Sequence, residues 1–166
     1  MKLLSILRHA KSSWSDSSLD DHDRPLNKRG VRDAPRMGEL IREQDLVPDV
    51  ILSSTAVRAR ETALAVAAAT GFPDEVCFLR RLYGAGPDAY LEALSDLPDD
   101  HHHALVVGHN PGLEELVARV VGVPHTLPTA ALAVVELPID RWSDLGPPPL
   151  GSLRSLWRPR ELFDQA

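Results

Sequence analysis

Two histidines and two arginines stand where short apolar runs give out. Arg8-His9 closes Lys2-Leu3-Leu4-Ser5-Ile6-Leu7, and His109 follows Ala104-Leu105-Val106-Val107-Gly108. Arg58 comes shortly after Val50-Ile51-Leu52-Ser53-Ser54. A neutral imidazole is a competent nucleophile toward phosphorus, and the planar arginine fork matches phosphate oxygens. An arginine pair offsets most of the charge on a phosphoryl dianion. A second histidine can hold charge in the transition state, where fixed electrostatics act most strongly. Taken singly, each residue has a plainer reading. Arg8-His9 reads equally as a basic pair capping an edge strand, and His109 as a core histidine. Arg58 reads as reaching solvent or a carboxylate such as Glu61. No G-x-x-x-x-G-K-S/T loop is present, so an ordinary nucleoside-triphosphate site is excluded.

The elements that must position these residues follow from periodicity. Strand-length apolar runs fall at Leu3 to Leu7, Val47 to Ser54, Val76 to Leu82, Ala104 to Gly108 and Ala130 to Leu137, with Leu153 to Arg158 as a last edge strand. Asn27 is placed to cap a helix with Val31, Ala34, Met37, Leu40 and Ile41 at helical spacing. Pro35 inside that span implies either a kink or a later start. Further helices are expected from Thr55 to Ala67, closed near Gly71, from Asp88 to Leu97, and from Leu113 to Val121 with Pro111 at its first helical position. A Pro-rich loop covers 140–150. Alternating strands and helices predict a three-layer α/β/α sandwich around a mostly parallel sheet, in which ligands bind past the strands' carboxyl ends. If the strands ending in Arg8-His9, Ser53-Ser54 and Gly108 are neighbours, both histidines and both arginines share one pocket. Arg58 then lies in the first turn of its helix, a poor position for a cation unless a negative group offsets it.

Other polar clusters read more plainly. In Asp20-Asp21-His22-Asp23, neighbouring residues rarely converge on one ion without partners elsewhere, so no metal is expected. His101-His102-His103 alternates in direction and reads as a solvated turn. His22, His125, Trp14, Trp142 and Trp157 have no spacing that singles them out. At 166 residues the chain is expected to form a single domain over 1–166. A net charge of −6 argues against nucleic-acid or anionic-membrane partners, and no apolar run approaches the roughly 20 residues that span a bilayer. Arg8 and His9 break the first apolar run too early for a secretory signal. The one cysteine, Cys77, rules out an internal disulfide and suits a reducing cytoplasm; its apolar neighbours Val76, Phe78 and Leu79 predict burial.

Arg8-His9, Ser53-Ser54-Thr55-Ala56-Val57-Arg58-Ala59-Arg60-Glu61-Thr62 and Val106-Val107-Gly108-His109-Asn110-Pro111 together resemble the histidine phosphatase superfamily, with its phosphoglycerate mutase-like fold. Pro25-Leu26-Asn27-Lys28-Arg29-Gly30 is similar to the segment that opens that family's first helix. The Arg-His-Ala-Lys-Ser opening looks most like the SixA-type phosphohistidine phosphatases. The resemblance implies that His9 is the transiently phosphorylated nucleophile, that Arg8 and Arg58 grip the phosphoryl oxygens, and that His109 completes the pocket. It implies no metal or organic cofactor. Two departures stand out. Ala10 replaces the usual glycine after Arg-His, and Gly84 stands where many relatives carry an acidic proton donor. The SixA-type members share that second lack, which favours phosphohistidine on a protein, a phosphorelay histidine-containing domain being one such partner. A small-molecule phosphomonoesterase would need another acid, with Asp16, Asp23 or Asp88 as substitutes. A non-catalytic phosphate-binding module would have no need of His9, and a mutase would need a more closed pocket.

Overall fold

In the computed structural model, which describes residues 1–147 and 150–163, a six-stranded sheet runs in the order β3-β2-β4-β1-β5-β6. The strands are β1 (Lys2–Arg8), β2 (Val50–Ser54), β3 (Cys77–Leu79), β4 (His103–Gly108), β5 (Leu132–Leu137) and β6 (Ser152–Trp157). β3, β2, β4 and β1 pair in parallel, while β5 lies antiparallel to both β1 and β6. The sheet is therefore mixed and mostly parallel, the phosphoglycerate mutase-like arrangement.

Alternation along each strand divides the core into two. Leu7, Ile51, Leu105, Val107 and Val134 face α1 (Lys28–Glu43) and α2 (Val57–Thr70). Leu4, Ile6, Leu52, Val106 and Val135 face α3 (Pro87–Ser95) and α4 (Gly112–Val121). Period-two alternation sends successive side chains to opposite faces, so strands covered on both sides must be apolar throughout. That is the pattern of β4, buried along its whole length.

Asn27 caps α1, its Oδ1 accepting from the Gly30 amide at 2.9 Å. The helix then runs through Pro35, so it begins where the cap places it. An interior proline costs about 3 kcal/mol, which the burial of Ala34, Met37 and Ile41 outweighs. Gly38 lets α1 approach α2 closely, since a Cβ there would lie 2.6 Å from that of Ala69. Val31 does not join this face; it is 59% exposed.

Several expectations need correction. β3 spans only Cys77–Leu79, and Arg80–Leu82 form a 3₁₀ turn, with Arg81 paired to Asp96. Cys77 is exposed rather than buried, because it opens a three-residue edge strand bonded on one side only. His103 belongs to β4, buried, its Nε2 2.7 Å from Ser5 Oγ, rather than to a solvated turn. Pro111 sits one place before α4; its carbonyl accepts from the Glu115 amide at 3.0 Å, the first bond of the helix. The strand expected from Ala130 begins at Leu132, since Ala130 takes a positive φ of 62°. Within the 140–150 loop, Trp142–Asp144 form a 3₁₀ turn, and residues 148 and 149 lie outside the described residues. A short terminal helix, α5 (Pro159–Phe163), was not anticipated. Among the described residues no helix is long and apolar enough to cross a membrane.

Candidate active site

β2, β4 and β1 are adjacent, so their carboxyl ends form one edge. Register does the rest. Arg8 is level with Gly108, and Ser53 with Val107, which sets His9 beside His109 and Ser54 on the far side of His109. The two imidazole centroids are 5.1 Å apart.

His9 is fixed by its own backbone. Its amide donates to Gly108 O at 3.0 Å, and its carbonyl accepts from Ala130 N at 3.0 Å. Nδ1–H donates to Ala10 O at 2.7 Å, which leaves the Nε2 lone pair free. Burial, joined by the nearby His109, Arg58 and Arg8, drops the His9 pKa to about 3 against the bond to Ala10. The ring is therefore a neutral nucleophile at any ordinary pH. Thr62 Oγ1 ties the next residue in place, accepting from the Ala10 amide at 3.0 Å and donating to Arg58 O at 2.7 Å.

His109 Nε2 is 2.8 Å from Ser54 Oγ, and that hydroxyl oxygen already accepts from the Ala56 amide at 3.2 Å. The hydroxyl proton is thus free to go to Nε2, and the network assigns the ring proton to Nδ1. Nδ1 is buried and has no partner, a donor waiting for an acceptor. The His109 amide donates to Tyr90 Oη at 3.2 Å. Gly108 makes room for that phenol, because a Cβ there would lie 2.1 Å from it. Burial pushes the Tyr90 hydroxyl up to about 12 and the His109 ring down to about 4.

Both arginines are buried or half-buried, and each has an Nε with no partner. Arg8 Nη1 donates to Leu127 O at 3.1 Å. Arg58 sits in the first turn of α2 as expected, but its partner is Asp21 rather than Glu61. Nη1 donates to Asp21 O at 2.6 Å and Nη2 to Asp21 Oδ2 at 3.0 Å. Glu61 instead accepts from the Leu26 amide at 3.1 Å. Asp21 also receives Tyr83 Oη at 2.7 Å and Arg24 Nη2 at 3.0 Å. The Tyr83 hydrogen bond, with those of Arg58 and Arg24, holds this carboxyl far below the usual range. Asp21 is an anion that orients Arg58; it is not a proton donor.

The four residues picked out by their spacing, His9, Arg8, Arg58 and His109, are thus brought together. Asp21, His22 and Tyr83 were not foreseen. His22 Nε2 bonds with Thr55 Oγ1 at 2.9 Å, and its ring meets Tyr83 at 4.8 Å, which in turn stands 5.7 Å from His109. Of the substitute acids, Asp16 accepts from Ser18, Asp23 faces His22 at 3.3 Å, and Asp88 pairs with Arg119. Gly84 has a φ of 66°, which favours glycine. Among the described residues no three His, Cys, Asp or Glu side chains are grouped to hold a metal.

Residues 4–82 match the histidine phosphatase superfamily, branch 1. An uncharacterized protein of Mycobacterium tuberculosis is 35% identical over 152 residues, covering 85% of this chain and 92% of its own. This chain belongs to the histidine phosphatase superfamily. Among solved structures, a candidate phosphohistidine phosphatase SixA from Agrobacterium tumefaciens superposes with a TM-score of 0.82 at 28% identity, over 95% of this chain and 98% of that one. The protein histidine phosphatase SixA complexed with tungstate gives 0.80 at 25% identity, over 96% and 99%.

Three buried rings set an acid sensitivity for this family member. His9, His103 and His109 titrate near 6.5 when exposed, but near 3, 4 and 4 in the fold. Between those values the unfolded chain binds protons that the native state does not, so stability rises with pH there. Chemical-denaturation midpoints are expected to fall steadily as pH drops from about 6.5 to 4. A flat profile over that window would mean the rings are charged in the fold.

Proposed function

We propose that this histidine phosphatase removes phosphoryl groups from histidine side chains of proteins, through a phosphohistidine formed on its own His9. The observation that carries this reading is the engagement of Asp21: the carboxylate that reaches the site accepts hydrogen bonds from Tyr83, Arg58 and Arg24 and has no proton to give. A phosphate ester leaves as an alkoxide, whose conjugate acid resembles water at about 15.7 and needs a protonated group beside it. A phosphohistidine protonated on its other ring nitrogen expels neutral imidazole, whose conjugate acid has a pKa of about 6.5, and needs far less.

In the first step His9 Nε2 forms a bond to phosphorus as the substrate's P–N bond breaks, and the substrate imidazole, protonated beforehand by solvent on its other ring nitrogen, departs neutral with the bond's electron pair. Water then attacks phosphorus, the His9–P bond breaks, and inorganic phosphate leaves with His9 neutral again. Arg8, Arg58 and the Nδ1–H of His109 supply donors to the three equatorial oxygens. The tungstate held by the SixA relative is a tetrahedral oxyanion of the same kind. The partner best suited to such a site is a phosphorelay histidine-containing domain.

Phosphate release from a phosphohistidine-carrying protein, beside a panel of sugar and aryl phosphates, tests the reading. Preference for the protein is expected, with none released by His9→Ala. Faster release from a sugar phosphate would overturn it and demand a proton donor, to be sought first at His22, then at Asp16, Asp23 and Asp88.

A further inference from the structure

Arg8 has a second side. It lines a cavity of about 440 Å3 that excludes His9, Arg58 and His109 from its walls. Arg29, Arg158 and Arg160 line the same cavity, with Glu114 and Glu161 as its acidic members. Four guanidinium groups around one space are unexpected in a chain of net charge −6, so general basicity does not explain them.

The acids are already engaged. Glu114 Oε2 accepts from the Leu127 amide at 2.7 Å while its charge offsets part of that of Arg8, and Glu161 Oε1 lies 3.5 Å from Arg158 Nη1. Arg158 also donates from Nη2 to Thr126 O at 3.1 Å, which fixes it against the wall. The arginines retain capacity. The Nε of Arg8 is buried without a hydrogen-bond partner, while the Nε of Arg29 lies 3.6 Å from Asp33 Oδ2 in an ion pair at the edge of the cavity. What these side chains offer the cavity is their charge and their outward Nη edges.

We propose that this cavity is a second anion subsite, which takes a carboxylate or phosphate carried by the substrate beside its scissile phosphoryl group. The inference rests on the phosphatase reading for the position of that phosphoryl group at His9. Arg8 joins the two sites: one guanidinium has two edges and serves two anions on the same molecule. On a protein substrate the second anion is an aspartate or glutamate near the phosphohistidine. On a small substrate it is a carboxylate or a further phosphate.

Binding to His9→Ala decides the matter without turnover. Two matched pairs serve as probes, each with and without the second anion: phosphohistidine peptides with Glu or Gln beside the histidine, and 3-phosphoglycerate against glycerol 3-phosphate. Calorimetry is expected to give about tenfold tighter binding, on the order of one charge-assisted contact, for the acidic member of at least one pair. Arg160→Glu, and separately Arg29→Ala, should bring that ratio toward one. A preference confined to the peptides identifies a protein substrate, and one confined to the phosphoglycerate a small one; both support the subsite. Equal binding within both pairs, no binding at all, or a ratio untouched by either variant overturns it. Wild-type chain that releases phosphate from none of the four probes would defeat the phosphatase reading, while the binding ratios still decide the subsite.

Discussion

His9→Ala is expected to abolish phosphate release while the fold persists. Loss of a covalent nucleophile in a site whose parts act together costs about a millionfold in turnover. Any residual rate should be no more than the roughly 10³–10⁴ over buffer that fixed charges alone retain. The backbone bonds that hold position 9, from its amide to Gly108 and from Ala130 to its carbonyl, do not involve the ring. Alanine therefore keeps the strand end in place. The variant carries a second signature. His9 is buried neutral, so it contributes to the loss of stability in acid; without it, the fall in denaturation midpoint below pH 6.5 should be shallower. Two readouts thus separate a chemical role from a structural one. Turnover by a clean preparation of His9→Ala within about tenfold of the wild type would remove His9 as the nucleophile, whatever its effect on stability.

Much of this site could be read before any coordinates, because its members sit at strand ends and strand ends announce themselves. Leu3 to Leu7 and Ala104 to Gly108 are short apolar runs that stop at Arg8-His9 and His109, and parallel pairing of β1 with β4 then does the positioning. What the chain concealed were partnerships between distant residues. The first turn of α2 signalled that Arg58 needed an anion, and Glu61 was the local choice. The actual partner, Asp21, lies 37 residues away in a polar stretch weighed only as a metal site. Nothing in Asp20-Asp21-His22-Asp23 distinguishes the second carboxylate from its neighbours until the 3₁₀ turn folds over Arg58. His103 failed for a similar reason. Beside two other histidines it reads as turn, and only the register of β1 against β4 brings Ser5 to its ring. Cys77 shows the opposite error: its apolar surroundings were real, but edge position decided its exposure.

Arg58→Ala is expected to lower kcat by about 10²–10³-fold, from the ~2.7–4 kcal/mol that one lost charge-stabilising donor costs in a preorganised site. Two features argue for the upper part of that range. Arg58 as a whole is 6% exposed, so its charge acts in a medium that screens it little. It is also held in advance, by two bonds to Asp21, with Nε still unpaired; no reorganisation is needed when the phosphoryl group arrives. Arg58→Lys discriminates between charge and geometry. Lysine keeps the cation but loses the fork, so it cannot hold Asp21 through two donors and still face an oxygen. Its rate should fall between those of the wild type and Arg58→Ala. Asp21 keeps Tyr83 and Arg24 in both variants, so the 3₁₀ turn has reason to stay folded. A loss below about tenfold for Arg58→Ala would place this arginine outside the transition state. Its buried contact with Asp21 would then be an ion pair that merely closes the loop over α2.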